Sequence, residues 1–432
     1  MKVGVIGAGY AGLTLACLAD KGHEVIFIDI DENKVKKINE GLSPIFEPGL
    51  DDIIRRNIGK RIWAFNDYHK LIDCDVIFIC VPTPSNDDGS INLYYVRNAI
   101  ENVAKVLKFI NKFVVIAVKS TVLPGTTISL IPIIEEISGK KSTIDFGICM
   151  NPEFLKEGSA VRDFLNPDKV VIGVIDEKSK EIMLELYKWV DDRVPRIVTN
   201  PNTAEMIKYA QNAALASRIS FINEIANICE KFNVDILDVA YAIGLDPRIG
   251  PYFLKAGIGF GGSCLPKDLK ALINAAESKG VDVMVLKSIL ERNEKQPYRA
   301  IELLKSFIPN LKNKKIALLG LSFKSNTDDI RESSAIKIAK KLIEEGAYVK
   351  VYDPKAMENA KKVLGEKVEY CKSAIECLKD SDACIIATDW EEFKDIDYSK
   401  FKIPIIDGRR ILDRIKAKNL GNRYKGIGWP AN

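Results

Sequence analysis

Gly257-Ile-Gly-Phe-Gly-Gly-Ser-Cys264-Leu-Pro-Lys-Asp268 gathers more potential chemistry than any other stretch of the chain. Its four glycines clear side chains from a loop, so backbone amides are expected to approach a ligand closely there. Pro266 suits the first turn of a helix that Ser263 or Cys264 would cap. The Cys264 sulfur then lies at a helix N-terminus, where unpaired N–H groups and the macrodipole favour a thiolate. Lys267 adds positive charge, and Asp268 offers a carboxylate one turn beyond the sulfur. An average cysteine is buried and inert; this setting predicts a nucleophile.

A second constellation opens the chain. Lys2-Val-Gly-Val-Ile reads as a strand, then Gly7-Ala-Gly9-Tyr-Ala-Gly12, a helix over Leu13–Lys21, and a strand Glu24–Asp29 ending in an acid. Strand, Gly-x-Gly-x-x-Gly, helix, strand and acid make the dinucleotide fingerprint. Gly7 permits the turn, Gly9 admits the pyrophosphate, Gly12 packs helix on strand, and Asp29 accepts from the ribose hydroxyls. The acid favours NAD over NADP, although Lys34 could serve either. Asp75–Val81 and Phe113–Val118 read as buried parallel strands whose carboxyl ends carry Thr83 and Thr121, both expected to face the cofactor. After the strand Phe146–Met150 come Glu153 and Glu157, spaced as on one helix face and expected at the cleft.

These groups must be held by larger elements. From Asn202 to Phe232 no Gly or Pro interrupts a helical pattern, with Asn202 or Thr203 as its cap and Lys208 and Asn212 on one face. Its apolar length suggests a dimerisation spine. Near residue 311 the opening pattern starts over: Lys315–Gly320, Glu345–Asp353 and Asp380–Thr388 echo Lys2–Gly7, Lys21–Asp29 and Asp73–Cys80. The second glycine loop is altered to Gly320-Leu-Ser-Phe-Lys324, which suits a mononucleotide or nucleotide sugar. A last strand is expected to end at Asp407-Gly-Arg409, placing Arg409 to bind an anionic or polyol substrate. The predicted fold is α/β, with two Rossmann-like doubly wound domains joined by a long central helix in an all-helical middle domain. The expected boundaries are 1–200 for NAD, 201–305 for the helical, cysteine-bearing middle, and 306–432 for the nucleotide sugar.

The totals narrow the function. A net charge of +4 over 432 residues, without a dense basic run, argues against nucleic acid. No stretch reaches the ~18 apolar residues of a membrane span. The strand at the very start leaves no room for a signal peptide, so cytoplasm is the expected location. Nine scattered cysteines without a Cys-x-x-Cys pair argue against a zinc or disulfide framework, and no metal is expected. Only His23 and His69 exist, both expected at the surface. Acid–base work must therefore fall to Lys, Asp, Glu, Cys or water, which excludes His-based triads and hydride-transfer sites.

Taken in order, Gly7-x-Gly-Tyr10-x-Gly12, Val81-Pro-Thr-Pro, Lys119-Ser-Thr-Val, Asn151-Pro-Glu-Phe-Leu, Gly259–Asp268 and Gly320–Ser333 resemble the UDP-glucose/GDP-mannose dehydrogenases along nearly the whole chain. Asp246-Pro-Arg-Ile-Gly and the Phe253–Phe260 run look most like members acting on UDP-glucose, with GDP-mannose and other UDP-sugars as alternatives. A non-catalytic NAD- or nucleotide-sugar-binding regulator on the same fold is the rival from another class, and it would have no need of the thiol. The resemblance implies a four-electron oxidation of a sugar alcohol to a carboxylate with two NAD, through a thiohemiacetal and thioester on Cys264. It implies that Lys208 and Asn212 stabilise the oxyanion, that Asp268 with a water near Thr121 is the alcohol base, and that Glu153 activates the hydrolytic water. It carries over cofactor contacts to Gly7, Gly9, Tyr10, Gly12, Asp29, Lys34, Thr83, Thr121, Glu157, Lys267 and Arg331. On the substrate side it implies Glu153, Phe154, Leu155, Lys156, Lys208, Asn212, Tyr252, Phe253, Leu254, Lys255, Ala256, Gly261, Lys324 and Arg409. Arg248 resembles a substrate arginine that crosses from a second copy, in keeping with a homodimer built on the central helix.

Overall fold

The computed structural model describes residues 1–430. Among the described residues, fourteen strands build two sheets. The first contains β1 (Lys2–Ile6), β2 (Glu24–Ile28), β3 (Ile62–Phe65), β4 (Val76–Ile79), β5 (Val114–Val118), β6 (Phe146–Met150), β7 (Val170–Val174) and β8 (Arg196–Thr199). The second contains β9 (Lys315–Leu319), β10 (Tyr348–Tyr352), β11 (Glu369–Tyr370), β12 (Ala383–Ile386), β13 (Ile405–Asp407) and β14 (Tyr424–Gly426). Their orders are β3-β2-β1-β4-β5-β6-β7-β8 and β11-β10-β9-β12-β13-β14. The six strands of the second sheet repeat the order of the first six, which is the doubly wound dinucleotide-binding order. Both sheets are parallel except where β7 runs antiparallel to β6. β14 lies beyond the strand expected to be last. It is three residues long and carries no apolar run that would have announced it.

Continuous apolar strands follow from burial on both faces. Val3, Val5, Val25, Phe27, Val76 and Phe78 enter one core, while Ile6, Ile26, Ile28, Ile77 and Ile79 enter another on the opposite face. The second sheet divides likewise, Ile316 and Leu318 from Ala317 and Leu319.

One helix runs Pro201–Phe232. Its start is fixed by Asn200, whose side chain accepts from Thr203 N at 2.9 Å, with Pro201 in the first turn; neither Asn202 nor Thr203 is the cap. The chain forms two compact units, Met1–Gln211 and Asn212 onward, whose boundary falls inside this helix. The helical middle shares one core with the second sheet: Ile222, Ala226, Leu254, Ala256 and Ile258 pack with Ile301, Ile316 and Leu318. By compactness the middle segment and the second sheet are therefore a single body. No helix among the described residues is long and apolar enough to cross a membrane.

Candidate active site

The glycine-cysteine stretch folds as an irregular loop leading into the helix Leu265–Glu277, with Pro266 in its first turn and Cys264 as N-cap residue. Cys264 makes no side-chain cap bond, and Ser263 Oγ lies 3.5 Å from the Cys264 sulfur. Cys264 is exposed, whereas the other eight cysteines are buried. Burial pushes the thiols of Cys17, Cys74 and Cys80 up to about 12 and those of Cys149 and Cys384 higher still. Those five thiols stay protonated, and Cys264 is the one thiol that a solvent-borne reagent or ligand can reach. Asp268, 1% exposed, accepts from Asn212 Nδ2 and from Lys267 Nζ, each at 2.6 Å. The lysine expected to favour the thiolate is thus partnered by the neighbouring carboxylate.

The glycines also have a packing reason. A Cβ on Gly259 (φ +94°) would lie 2.7 Å from Asn293 Oδ1, one on Gly262 (φ +85°) 2.8 Å from the Phe323 ring, and one on Gly257 3.0 Å from Gly408 O. A Cβ on Gly261 would overlap Glu332 O. Other protein segments press against the loop at these positions and leave no room for a side chain. Gly262 N also donates to Arg331 O at 2.8 Å.

In the first unit, Lys208 Nζ donates to Glu153 Oε1 at 2.9 Å, with only 4% and 14% of these side chains exposed. Burial alone would raise the Glu153 carboxyl. The Lys208 charge and hydrogen bond, the Leu155 amide and the Lys119 charge outweigh it and hold the carboxyl below its ordinary range. Residues 151–156 are irregular, so Glu153 and Glu157 do not share a helix face; the next helix is Ala160–Leu165. Asn151 fixes the start of the segment by donating to Val171 O (2.7 Å) and accepting from Tyr187 OH (2.6 Å) and Lys119 Nζ (3.1 Å). Glu47 fixes its end by accepting from Gly158 N and Ala160 N, both at 2.8 Å. Phe154 lies under Lys208 and Lys169, at 5.6 and 4.1 Å from the ring centre. Lys156 is exposed and pairs with Asp163 at 3.9 Å.

The glycine loop after β1 fits a dinucleotide. A side chain on Gly7 (φ +100°) would meet Cys80 O at 2.6 Å, and one on Gly12 would overlap Gly7 O. Nothing lies within 4 Å of a side chain on Gly9, so that edge stands open for a pyrophosphate. Asp29 Oδ2 accepts from Ala8 N at 2.7 Å and lies 3.6 Å from Lys34 Nζ, which is therefore neutralised by the acid and poorly placed to bind a 2′-phosphate. Tyr10 OH donates to Phe46 O at 3.3 Å. Ser120 Oγ donates to Val81 O at 2.7 Å, stitching the Thr121 loop to the Thr83 loop beyond β5 and β4.

The repeat in the second sheet extends to single hydrogen bonds. Gly320 N donates to Tyr352 O as Gly7 N does to Ile28 O, and Leu321 N donates to Asp353 as Ala8 N does to Asp29. Asp353 then diverges. It is 1% exposed and also accepts from Ser322 N, Ser322 Oγ, Lys355 N, Ala356 N and Trp390 Nε1. The indole occupies the acid that a ribose would need, so this loop is closed to a second dinucleotide.

Other expected substrate residues are placed unevenly. Arg409 donates to Ala387 O (2.9 Å), Gly259 O (2.9 Å) and Phe323 O (3.2 Å), binding three segments together with most of its fork. Lys324 Nζ lies 5.6 Å from the Phe323 ring centre. Lys255 pairs with Asp389 at 3.0 Å. Leu254 and Ala256 are buried in the shared core, which leaves only their backbone for a ligand. Tyr252 is 79% exposed, and Phe253 takes a left-handed φ of +61°. Arg331 forks onto Asp329, and the exposed Arg248 onto Asp246. Sequence reasoning missed Arg218, which donates to the carbonyls of Ile249, Gly250 and Tyr252, and the buried amides Asn223, Asn293 and Gln296 around the glycine loop. Their one signal is amide side chains on faces of helices that otherwise carry apolar residues.

Three family descriptions match the chain in order: the UDP-glucose/GDP-mannose dehydrogenase family NAD binding domain over residues 1–191, its central domain over 202–295 and its UDP binding domain over 317–414. UDP-glucose 6-dehydrogenase AglM of Haloferax volcanii is 44% identical over 96% of this chain and 98% of its own. TuaD of Bacillus subtilis, also a UDP-glucose 6-dehydrogenase, is 42% identical over 100% and 94%. A solved UDP-glucose dehydrogenase from Pyrobaculum islandicum superimposes with a TM-score of 0.94 at 38% identity, covering 99% of this chain and 98% of that one.

Proposed function

The chain belongs to the UDP-glucose/GDP-mannose dehydrogenase family, and on that footing we propose that it oxidises UDP-glucose to UDP-glucuronate, releasing two NADH per sugar. The observation that carries this reading is the single exposed cysteine at the head of a helix, beside a buried carboxylate. NAD, held on the Gly7–Gly12 loop with Asp29, supplies the hydride acceptor for each oxidation.

The chain's own residues divide the remaining work. Asp268 takes the proton of the sugar 6-hydroxyl through a water, and Thr121 is a proposed partner of that water. Hydride loss leaves an aldehyde. The Cys264 thiolate adds to its carbon to form a thiohemiacetal, and Lys208 and Asn212 donate to the developing oxyanion. A second hydride loss leaves a thioester. Glu153 takes a proton from water, the hydroxide adds to the thioester carbon, and the C–S bond breaks to return the thiol and the carboxylate. One alcohol, one water and two NAD thus give one carboxylate, two NADH and three protons. The acids and lysines suffice because no histidine is required at any step.

The decisive experiment measures NADH released per UDP-glucose by wild type and Cys264→Ser, with GDP-mannose in parallel. Two NADH per UDP-glucose, with turnover in the variant down at least about a thousandfold, supports the reading. Two NADH from GDP-mannose alone would move the specificity and keep the mechanism. One NADH per sugar with a harmless Cys264→Ser would sink the thioester route. No NADH with either sugar would favour a binding protein on the same fold.

A further inference from the structure

Residues 257–263 have no regular secondary structure, so their buried backbone groups must be satisfied by other partners. Side chains from two helices do this. Asn223 (1% exposed), on Pro201–Phe232, accepts from Gly257 N at 2.8 Å. Gln296 (1% exposed), on Met284–Lys305, donates to Gly257 O at 2.9 Å and accepts from Asn227 Nδ2 at 3.0 Å. Asn293, one turn earlier, accepts from Phe260 N at 2.7 Å and donates to Phe260 O at 2.9 Å. That double bond is the pairing a neighbouring β-strand would offer, supplied by one carboxamide. The same Oδ1 bounds the space at Gly259, where a Cβ would come within 2.7 Å. The loop is thus pinned four residues before the sulfur.

We propose that Asn293 is a positioning residue for Cys264. Its carboxamide sets the path of Phe260, and through the short glycine run that follows it sets where the thiol meets the first turn of Leu265–Glu277. This rests on the nucleophilic role proposed for Cys264. A carboxamide suits the task because it donates and accepts from one rigid plane, whereas a carboxylate only accepts. In Asn293→Asp a single changed atom sets oxygen against the Phe260 carbonyl at hydrogen-bond distance, so the loop must shift.

The test compares wild type, Asn293→Asp, Gln296→Glu and Ser220→Ala as full-length proteins. Ser220 Oγ donates to Ile289 O at 2.8 Å, so it ties the same two helices together without touching the loop. The first readout is the rate and pH profile of iodoacetamide alkylation at Cys264, read by peptide mass; the buried cysteines do not compete. The second is kcat against KM for UDP-glucose, with thermal melting as the fold check. Asn293→Asp is expected to slow alkylation about tenfold or more, shift its pH profile and lower kcat with KM within about twofold. Ser220→Ala should melt earlier and alkylate as wild type does. Gln296→Glu carries the test if Asn293→Asp does not fold. Wild-type alkylation rates and pH profiles in the folded carboxylate variants would overturn the proposal. Alkylation needs no sugar, so it still decides the matter if UDP-glucose proves not to be the substrate.

Discussion

A buried carboxylate costs several kcal/mol unless its charge is compensated, and Glu153 is compensated by Lys208 at 2.9 Å. Because the folded carboxyl titrates below its ordinary range, the stability it contributes is complete above the unfolded pKa and is lost as pH falls through the lower folded value. Lys208→Met removes the partner and leaves burial dominant, so the carboxyl rises and the loss begins at higher pH. Urea unfolding between pH 3 and 8 should show Lys208→Met weaker by about 3–5 kcal/mol at neutral pH. Its deficit should shrink once the variant's carboxyl protonates. A constant deficit across that range would mean that the pair does not set the carboxyl's titration. Lys208 and Asn212 were legible as neighbours because an unbroken helical pattern fixes residues four apart. The Glu153 pairing was not, since 55 residues separate the partners and no local pattern encodes which side chain a distant helix will meet.

At the scale of elements, the two sheets share a strand order and a glycine turn but put their acids to different uses. Asp29, 9% exposed, ties the loop and keeps an edge available. Asp353 is enclosed by six donors, among them the Trp390 indole. Asp353→Ala should therefore cost about 3 kcal/mol or more of unfolding free energy by leaving several buried donors unpaired. Asp29→Ala should cost less stability and instead raise KM for NAD, by about tenfold if a ribose contact of roughly 1.4 kcal/mol is lost. Chemical denaturation and NAD titration of both variants separate the two roles; equal stability losses with unchanged KM would refute the distinction. The repeat itself was readable, because Lys315–Gly320 and Glu345–Asp353 restate the opening apolar runs and their terminal acid. What closed the second loop was not. Trp390 is 37 residues from the acid it occupies, and β11 and β14, of two and three residues, pair through backbone bonds that any short segment could make. The glycine-cysteine loop was legible as a run of glycines, but the segments they press against, Phe323, Glu332 and Asn293, come from distant parts of the chain.

On the scale of the whole molecule, the helix Pro201–Phe232 buries Ile222, Ala226 and Cys229 yet leaves Phe221, Ile228 and Phe232 54%, 46% and 75% exposed. Phe221 and Ile228 are seven apart and so share a face, the spacing of a seam between helices. Tyr241, Leu245 and Tyr252 are 70%, 65% and 79% exposed further along. We expect a second copy to cover this surface about a twofold axis. Each substitution then enters the interface twice, so Phe221→Asp at about 2 kcal/mol per site should weaken the dimer roughly a thousandfold. Light scattering after gel filtration would read a dimer for wild type and a monomer for the variant, while a monomeric wild type would end this line of reasoning. Arg248 is the proposed functional counterpart. It is 88% exposed and, among the described residues, forks onto Asp246 two residues away. Cys264→Ser and Arg248→Ala, each inactive alone, would then complement when unfolded together and refolded. In a mixed dimer, the subunit that keeps Cys264 receives Arg248 from its partner and works, while the other lacks both. Random pairing gives mixed dimers in half the population with one working site of two, so activity should return to about a quarter of wild type. An arginine acting within its own subunit would leave every site with one defect and restore nothing.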